Sequence, residues 1–166
     1  MGLDLVTKRL AIDNLSFYEI KSVTSFFNLI LVKNQGAAFS LLSGDGPGQG
    51  IKMIGLSVLA MVPLIWFYSQ AKARDRGFLV SLGLVLGGAI GNICDRIRFG
   101  AVVDFLDFHF RDRHWPAFNV ADIAICVGVG LLALSIVTGR GPFGHQAKNP
   151  TSGRRAGRAR TSRSSE

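Results

Sequence analysis

The sequence is short of several things that a soluble protein of its length carries. Charged residues make up only 18% of its 166 positions, and acids are scarce, at 11 against 19 Lys and Arg. So little charge, with 48% apolar residues, argues against an ordinary water-soluble domain. There are two cysteines, Cys94 and Cys126, in separate apolar stretches. They form no CxxC pair and no metal-binding cluster, and both are expected to pack as small buried thiols. The N-terminus lacks the charged-then-apolar order and small-residue cleavage site of a removable leader. The glycine-rich stretch at residues 43–50, SGDGPGQG, is not followed by the strand–helix context of a phosphate-binding fingerprint. It reads as a turn or loop.

What is present is long apolar runs. Three approach the ~20 residues that cross a bilayer: residues 51–70, which include Pro63, residues 78–97 and residues 117–138. In lipid every backbone polar group must find a partner within the protein, so all three are expected to be helices. Residues 1–15 read as a helix too short to span, taken as part of a first transmembrane helix whose upstream half precedes Met1. The expected fold is an all-α polytopic membrane protein, a four-helix transmembrane bundle. Residues 22–32, SVTSFFNLILV, are β-branched and aromatic and read as strand, which places a small β-element and loop at residues 16–50.

The net charge of +8 is concentrated rather than spread. Lys72, Arg74 and Arg76 join two apolar runs, and seven more cations from Arg140 to Arg163 follow the last one. That pattern marks cytoplasmic loops and argues against a nucleic-acid-binding face. Residues 1–138 are expected to form the membrane domain, and residues 139–166 to form a basic, disordered cytoplasmic tail. The loop from Arg98 to Pro116 then lies on the other side of the membrane. Arg98, Arg111 and Arg113 run against the charge rule there, with Asp104, Asp107 and Asp112 among them.

Acids at membrane depth are costly and point to function. Asp122 stands one turn into an apolar run, with Asn119 and Cys126 at helical spacing on its face. Asn92, Asp95 and Arg96 end the run before, beside Gly88 and Gly91, which allow close approach of another backbone. Asp95 and Arg96 read as supporting charges at the interface. The stretch VVDFLDFHF, too short to span, fits an amphipathic segment at the interface. It would put Asp104 at the depth of Asp122, with Asp107 an interfacial acid. Two carboxylates at one depth can share one proton, the acid–base pair of an aspartic peptidase. His109 and His114 lack a third ligand for zinc. The same acids also suit a proton relay, but no internal repeat supports a transporter. A non-catalytic scaffold would tolerate Asp→Asn changes.

Four motifs in order complete the reading: Asn34 to Ser40 (NQGAAFS), Gly87 to Arg96 (GGAIGNICDR), Val102 to Phe105 (VVDF) and Phe118 to Asp122 (FNVAD). Together they resemble the lipoprotein signal peptidase family, signal peptidase II. The resemblance implies a membrane aspartic endopeptidase that cuts prolipoproteins before a diacylglyceryl-modified cysteine. Asp104 and Asp122 would be the catalytic pair. Asn34, Gly36, Asn92, Asp95, Arg96 and Asn119 would line or shape the substrate site. An early D-x-x-T-K motif matches Asp4, Thr7 and Lys8. The family also implies an interfacial helix beside the β-element, cytoplasmic termini, the bacterial inner membrane and a site near its outer face. Membrane lipids are the other expected partner. No cofactor, no metal and no nucleic acid is expected, and the chain is expected to be a monomer.

Overall fold

The computed structural model describes residues 1–36, 49–71 and 75–138. The loop at residues 43–48, motif residues 37–40, Lys72, Arg74 and the tail from residue 139 lie outside the described residues.

Four helices and four strands follow in the order α1 (Gly2–Asn14), β1 (Ile20–Thr24), β2 (Phe27–Asn34), α2 (Gln49–Gln70), α3 (Arg76–Phe99), β3 (Val102–Phe110), β4 (Arg113–His114) and α4 (Val120–Val137). Residues 51–70 of α2, α3 and α4 are each long and apolar enough to cross a membrane. Their outward side chains are exposed, as lipid contact requires. Among them are Leu59, Trp66, Val80, Val129 and Leu134. Helix α2 runs unbroken through Pro63. Helix α1, of 13 residues, is ~20 Å long against ~30 Å of hydrocarbon.

Helices α3 and α4 are packed through glycine. A Cβ on Gly88 would stand 2.5 Å from the Ala121 carbonyl oxygen, and one on Gly128 would stand 2.7 Å from that of Ser81. Gly91 makes room for Asp4, whose Oδ2 would lie 2.7 Å from an added Cβ. Without hydrophobic drive inside lipid, such backbone approach is a main source of helix association.

The fold is mostly helical with the expected small β-element, which extends beyond residues 16–50: the strands form one sheet in the order β1-β2-β3-β4, with every pairing antiparallel. The run at residues 22–32 is split by a tight turn at Ser25 and Phe26 into parts of β1 and β2. The stretch VVDFLDFHF, read as an amphipathic segment at the interface, is strand β3. Its aromatic and β-branched residues suit a pleated surface. A turn at Gly100 (φ 70°) ends α3 and starts the strand. Among the described residues no interfacial helix occurs. Residues 117–119 are extended as well, since Phe118 exchanges backbone hydrogen bonds with Leu106 at 2.9 and 3.0 Å. The sheet rests on α1 through Ala11, Leu15, Leu31, Val103 and Phe105. The cysteines are not core residues: Cys94 is half-buried and Cys126 exposed.

Gly88→Leu should destabilise the protein by about 1–3 kcal/mol, as overpacking does, read as a lower unfolding temperature in detergent. Gly83→Ala, at a position with no neighbour within 4 Å, is the control and should leave that temperature unchanged. Equal behaviour of the two variants would refute the close-packing account.

Candidate active site

The start of α4 builds the centre of the site. Asn119 is its N-cap: the side-chain Oδ1 accepts from the Asp122 amide at 3.0 Å. Asp122 Oδ2 in turn accepts from the Asn119 amide at 3.1 Å. This reciprocal capping box satisfies amides left free at a helix start. It also fixes Asp122 with its second oxygen, Oδ1, turned to Asn92, whose Nδ2 donates at 2.8 Å. The Asn119 Nδ2 group donates to Asp104 Oδ1 at 2.6 Å and to Asn92 Oδ1 at 3.2 Å. Asn119 thereby touches both carboxylates, one through its side chain and one through its backbone.

Asp104 is delivered by the sheet. Val102 stands opposite Asn34 in the β2–β3 register, which makes Asp104 a diagonal neighbour of Asn34 on one face. The Asn34 Nδ2 group donates to Asp104 Oδ2 at 2.9 Å. Its own Oδ1 accepts from the Gly36 amide at 2.8 Å. Gly36 has φ 103°, in the glycine-favouring region, and lies against Met53 of α2. Asp104 is 2% exposed, not the loop acid that its position alone would permit. Burial raises its pKa to about 6, against the lowering effect of the Asn34 and Asn119 hydrogen bonds; nearby Asp122 adds to the rise and Lys8 opposes it.

Asp107 separates from Asp104 because a strand alternates its faces and three residues is an odd step. It is buried, and accepts from Asn28 Nδ2 at 2.9 Å and pairs with His114 Nδ1 at 2.9 Å. His109 and His114 stack with ring centres 5.1 Å apart, and among the described residues no cluster of metal-ligating side chains forms. Cys126 is exposed and takes no part.

The signal peptidase II family profile (Peptidase_A8) matches residues 1–138. The chain belongs to this family. Signal peptidase II is an aspartic peptidase, and the chain is therefore a peptide-bond hydrolase. The lipoprotein signal peptidase of Ralstonia nicotianae is 46% identical over 132 residues, 80% of this chain and 76% of the relative. That of Syntrophotalea carbinolica is 48% identical over 136 residues, 81% of this chain and 84% of the relative. A bacterial membrane enzyme solved by the in meso method at 1.9 Å resolution superposes with a TM-score of 0.69 at 28% identity, covering 81% of this chain and 85% of that one.

In this signal peptidase II chain, the supporting charges are shared among several elements. Asp95 does not pair with its neighbour Arg96, since consecutive helical residues point apart. It pairs with Lys8 at 2.7 Å, and its Oδ2 accepts from the Val103 amide at 3.1 Å. Arg96 donates to the Asn92 carbonyl at 3.2 Å. Lys8, 3% exposed, also pairs with Asp4 at 2.9 Å and donates to Asn92 Oδ1 at 3.1 Å. Asp4 Oδ1 accepts from the Ala121 amide at 2.9 Å. Lys8 and Asp4 are the residues to which sequence reasoning gave no role. The available signal was their i, i+4 spacing, which puts opposite charges on one helix face.

Removing one partner of a buried ion cluster leaves the others uncompensated. Lys8→Met should therefore destabilise the fold by about 3–5 kcal/mol, and adding Asp95→Asn should recover part of the loss. Thermal unfolding of the purified variants tests this. A Lys8→Met protein that melts with the wild type would sink the account.

Proposed function

We propose that the chain removes signal peptides from prolipoproteins, cutting before a diacylglyceryl-modified cysteine, with Asp104 and Asp122 as the catalytic pair. The observation that carries this reading is Asn119, which bonds both carboxylates at once. The names of the relatives as lipoprotein signal peptidases supply the substrate class.

In the proposed reaction Asp122, ionised, takes a proton from water, and the hydroxyl adds to the scissile carbonyl carbon. Asp104, protonated, gives its proton to the carbonyl oxygen. On collapse a hydroxyl proton of the tetrahedral intermediate returns to Asp104. The proton held by Asp122 passes to the leaving amine as the C–N bond breaks. Burial supports giving the proton to Asp104, because desolvation disfavours its charged form. Asn34 and Asn92 stand beside the two acids and serve to hold the unwound substrate backbone, with Gly36, Asp95 and Arg96 shaping the site.

A signal peptide is itself an apolar helix, so its cleavage point lies near the membrane boundary. The C-terminal end of α3 and the N-terminal end of α4 meet there. We place that end on the outer face of the bacterial inner membrane, with the 72–76 connection and the basic tail in the cytoplasm. Helix α1 serves as the fourth member of the membrane bundle, and the enzyme acts as a monomer.

Asp104→Asn and Asp122→Asn should each lower turnover of a lipidated prolipoprotein by at least about a hundredfold, measured as precursor remaining on a gel, without loss of thermal stability. Near-normal turnover by either folded variant would overturn the pair. The raised pKa of Asp104 fixes a sign for pH dependence. Its protonated fraction falls as pH rises through about 6, so kcat/KM should decline on that limb. A profile flat between pH 5 and pH 8, where this limb must fall, would remove Asp104 as the proton carrier.

A further inference from the structure

Three arginines run against the charge asymmetry of the chain, and two of them lie at the tip of the sheet. Strand β3 leaves the C-terminal end of α3 at Gly100, and the chain returns at Asn119 to begin α4. Both ends of this excursion are therefore fixed at one membrane boundary. Between them β3 runs for nine residues, ~30 Å of extended chain, before it turns. Arg113 stands opposite Phe110 and His114 opposite His109, so Arg111 and Asp112 form the turn itself.

The tip is apolar where water would be expected. Phe110 is 74% exposed, Trp115 69% and Phe26, in the neighbouring β1–β2 turn, 54%. Beside the tip, Phe26 stacks on Phe108 at 6.3 Å and Phe108 on Phe118 at 5.8 Å, which holds those three rings together. A sheet standing upright on the membrane would carry these rings far into water. A sheet lying along the boundary puts them in the headgroup layer, where Trp and other aromatic rings are favoured. Arg111 lies over the Phe110 ring at 5.5 Å. It holds φ 54°, a left-handed conformation that is strained for an arginine and relaxed for glycine. The turn keeps a cation at a position where backbone geometry alone would favour Gly or Asn.

We infer that the β3–β4 hairpin is a membrane-surface anchor, with Phe110 and Trp115 seated among lipid headgroups and Arg111 and Arg113 on the phosphates of anionic phospholipid. Among the described residues Asp112, between them in the turn, is the one acid at the tip, and two guanidinium groups outweigh it. Guanidinium matches phosphate geometry through paired N–H donors. The surface lies beyond the two-aspartate site and acts by fixing the tilt of the sheet that carries Asp104.

The chain has two tryptophans, so Trp66→Phe leaves Trp115 as the sole indole. That protein is placed in nanodiscs of phosphatidylcholine, alone or mixed with phosphatidylglycerol, with bromine on the upper acyl chains. Trp115 emission should be strongly quenched by the brominated lipid and shielded from aqueous acrylamide, and more so with phosphatidylglycerol. Arg111→Gly together with Arg113→Ser should abolish the phosphatidylglycerol increment. The glycine relieves the turn, so the fold is retained. Acrylamide quenching like that of free indole, with no lipid quenching in either bilayer, overturns the anchor. Equal lipid quenching with and without phosphatidylglycerol overturns the assignment of the arginines to anionic headgroups.

Discussion

A single buried ammonium group organises the junction on which the site stands. Lys8 of α1 lies between Asp4 of its own helix and Asp95 of α3. Each carboxylate also takes a backbone amide from a third element, Ala121 of α4 and Val103 of β3. Four elements thus meet around one cation. A buried charge is tolerable only when its partners are in place, so the cluster permits one arrangement of α1, α3, α4 and the sheet. Gly91 belongs to the same constraint, because a side chain there would occupy the space of the Asp4 carboxylate.

The polar chain continues from Lys8 through Asn92 to Asn119, and from these amides to the two aspartates. Carboxamides suit this position. Each offers donors and an acceptor without net charge, so it can link a cation on one side to anions on the other. The capping box gives Asn119 and Asp122 a second duty. The hydrogen bonds that start α4 are also those that orient the site, so helix register and site geometry cannot vary independently.

Much of this was legible in the sequence, and the rest was hidden for identifiable reasons. The three membrane helices announced themselves through length and hydropathy, and Asn119 with Asp122 through spacing at a helix start. Asp104 was singled out by its apolar neighbours and its motif. The conformation of VVDFLDFHF was not legible, because a short run of apolar and acidic residues fits either a helix or a strand. The β2 partner, Phe27–Asn34, decides between them. The burial of Asp107 followed from contacts with His114, across the β3–β4 turn, and with Asn28, far away in sequence and invisible to local pattern. Lys8 went unassigned because a cation spaced for Asp4 on its own short helix does not reveal that Asp95 of another helix will also close on it.

The odd spacing of Asp104 and Asp107 bears on how a mutational survey of this chain would read. The sheet sends one acid to the helix junction and the other to Asn28 and His114, each buried and each bonded. Replacing either would impair the enzyme, and so would replacing Asp4 or Asp95. Four or five indispensable aspartates would then be scored alike, although the fold gives them separate occupations. Loss of activity alone cannot sort them. Whether the folded population survives the substitution is what divides chemistry from carpentry in this protein.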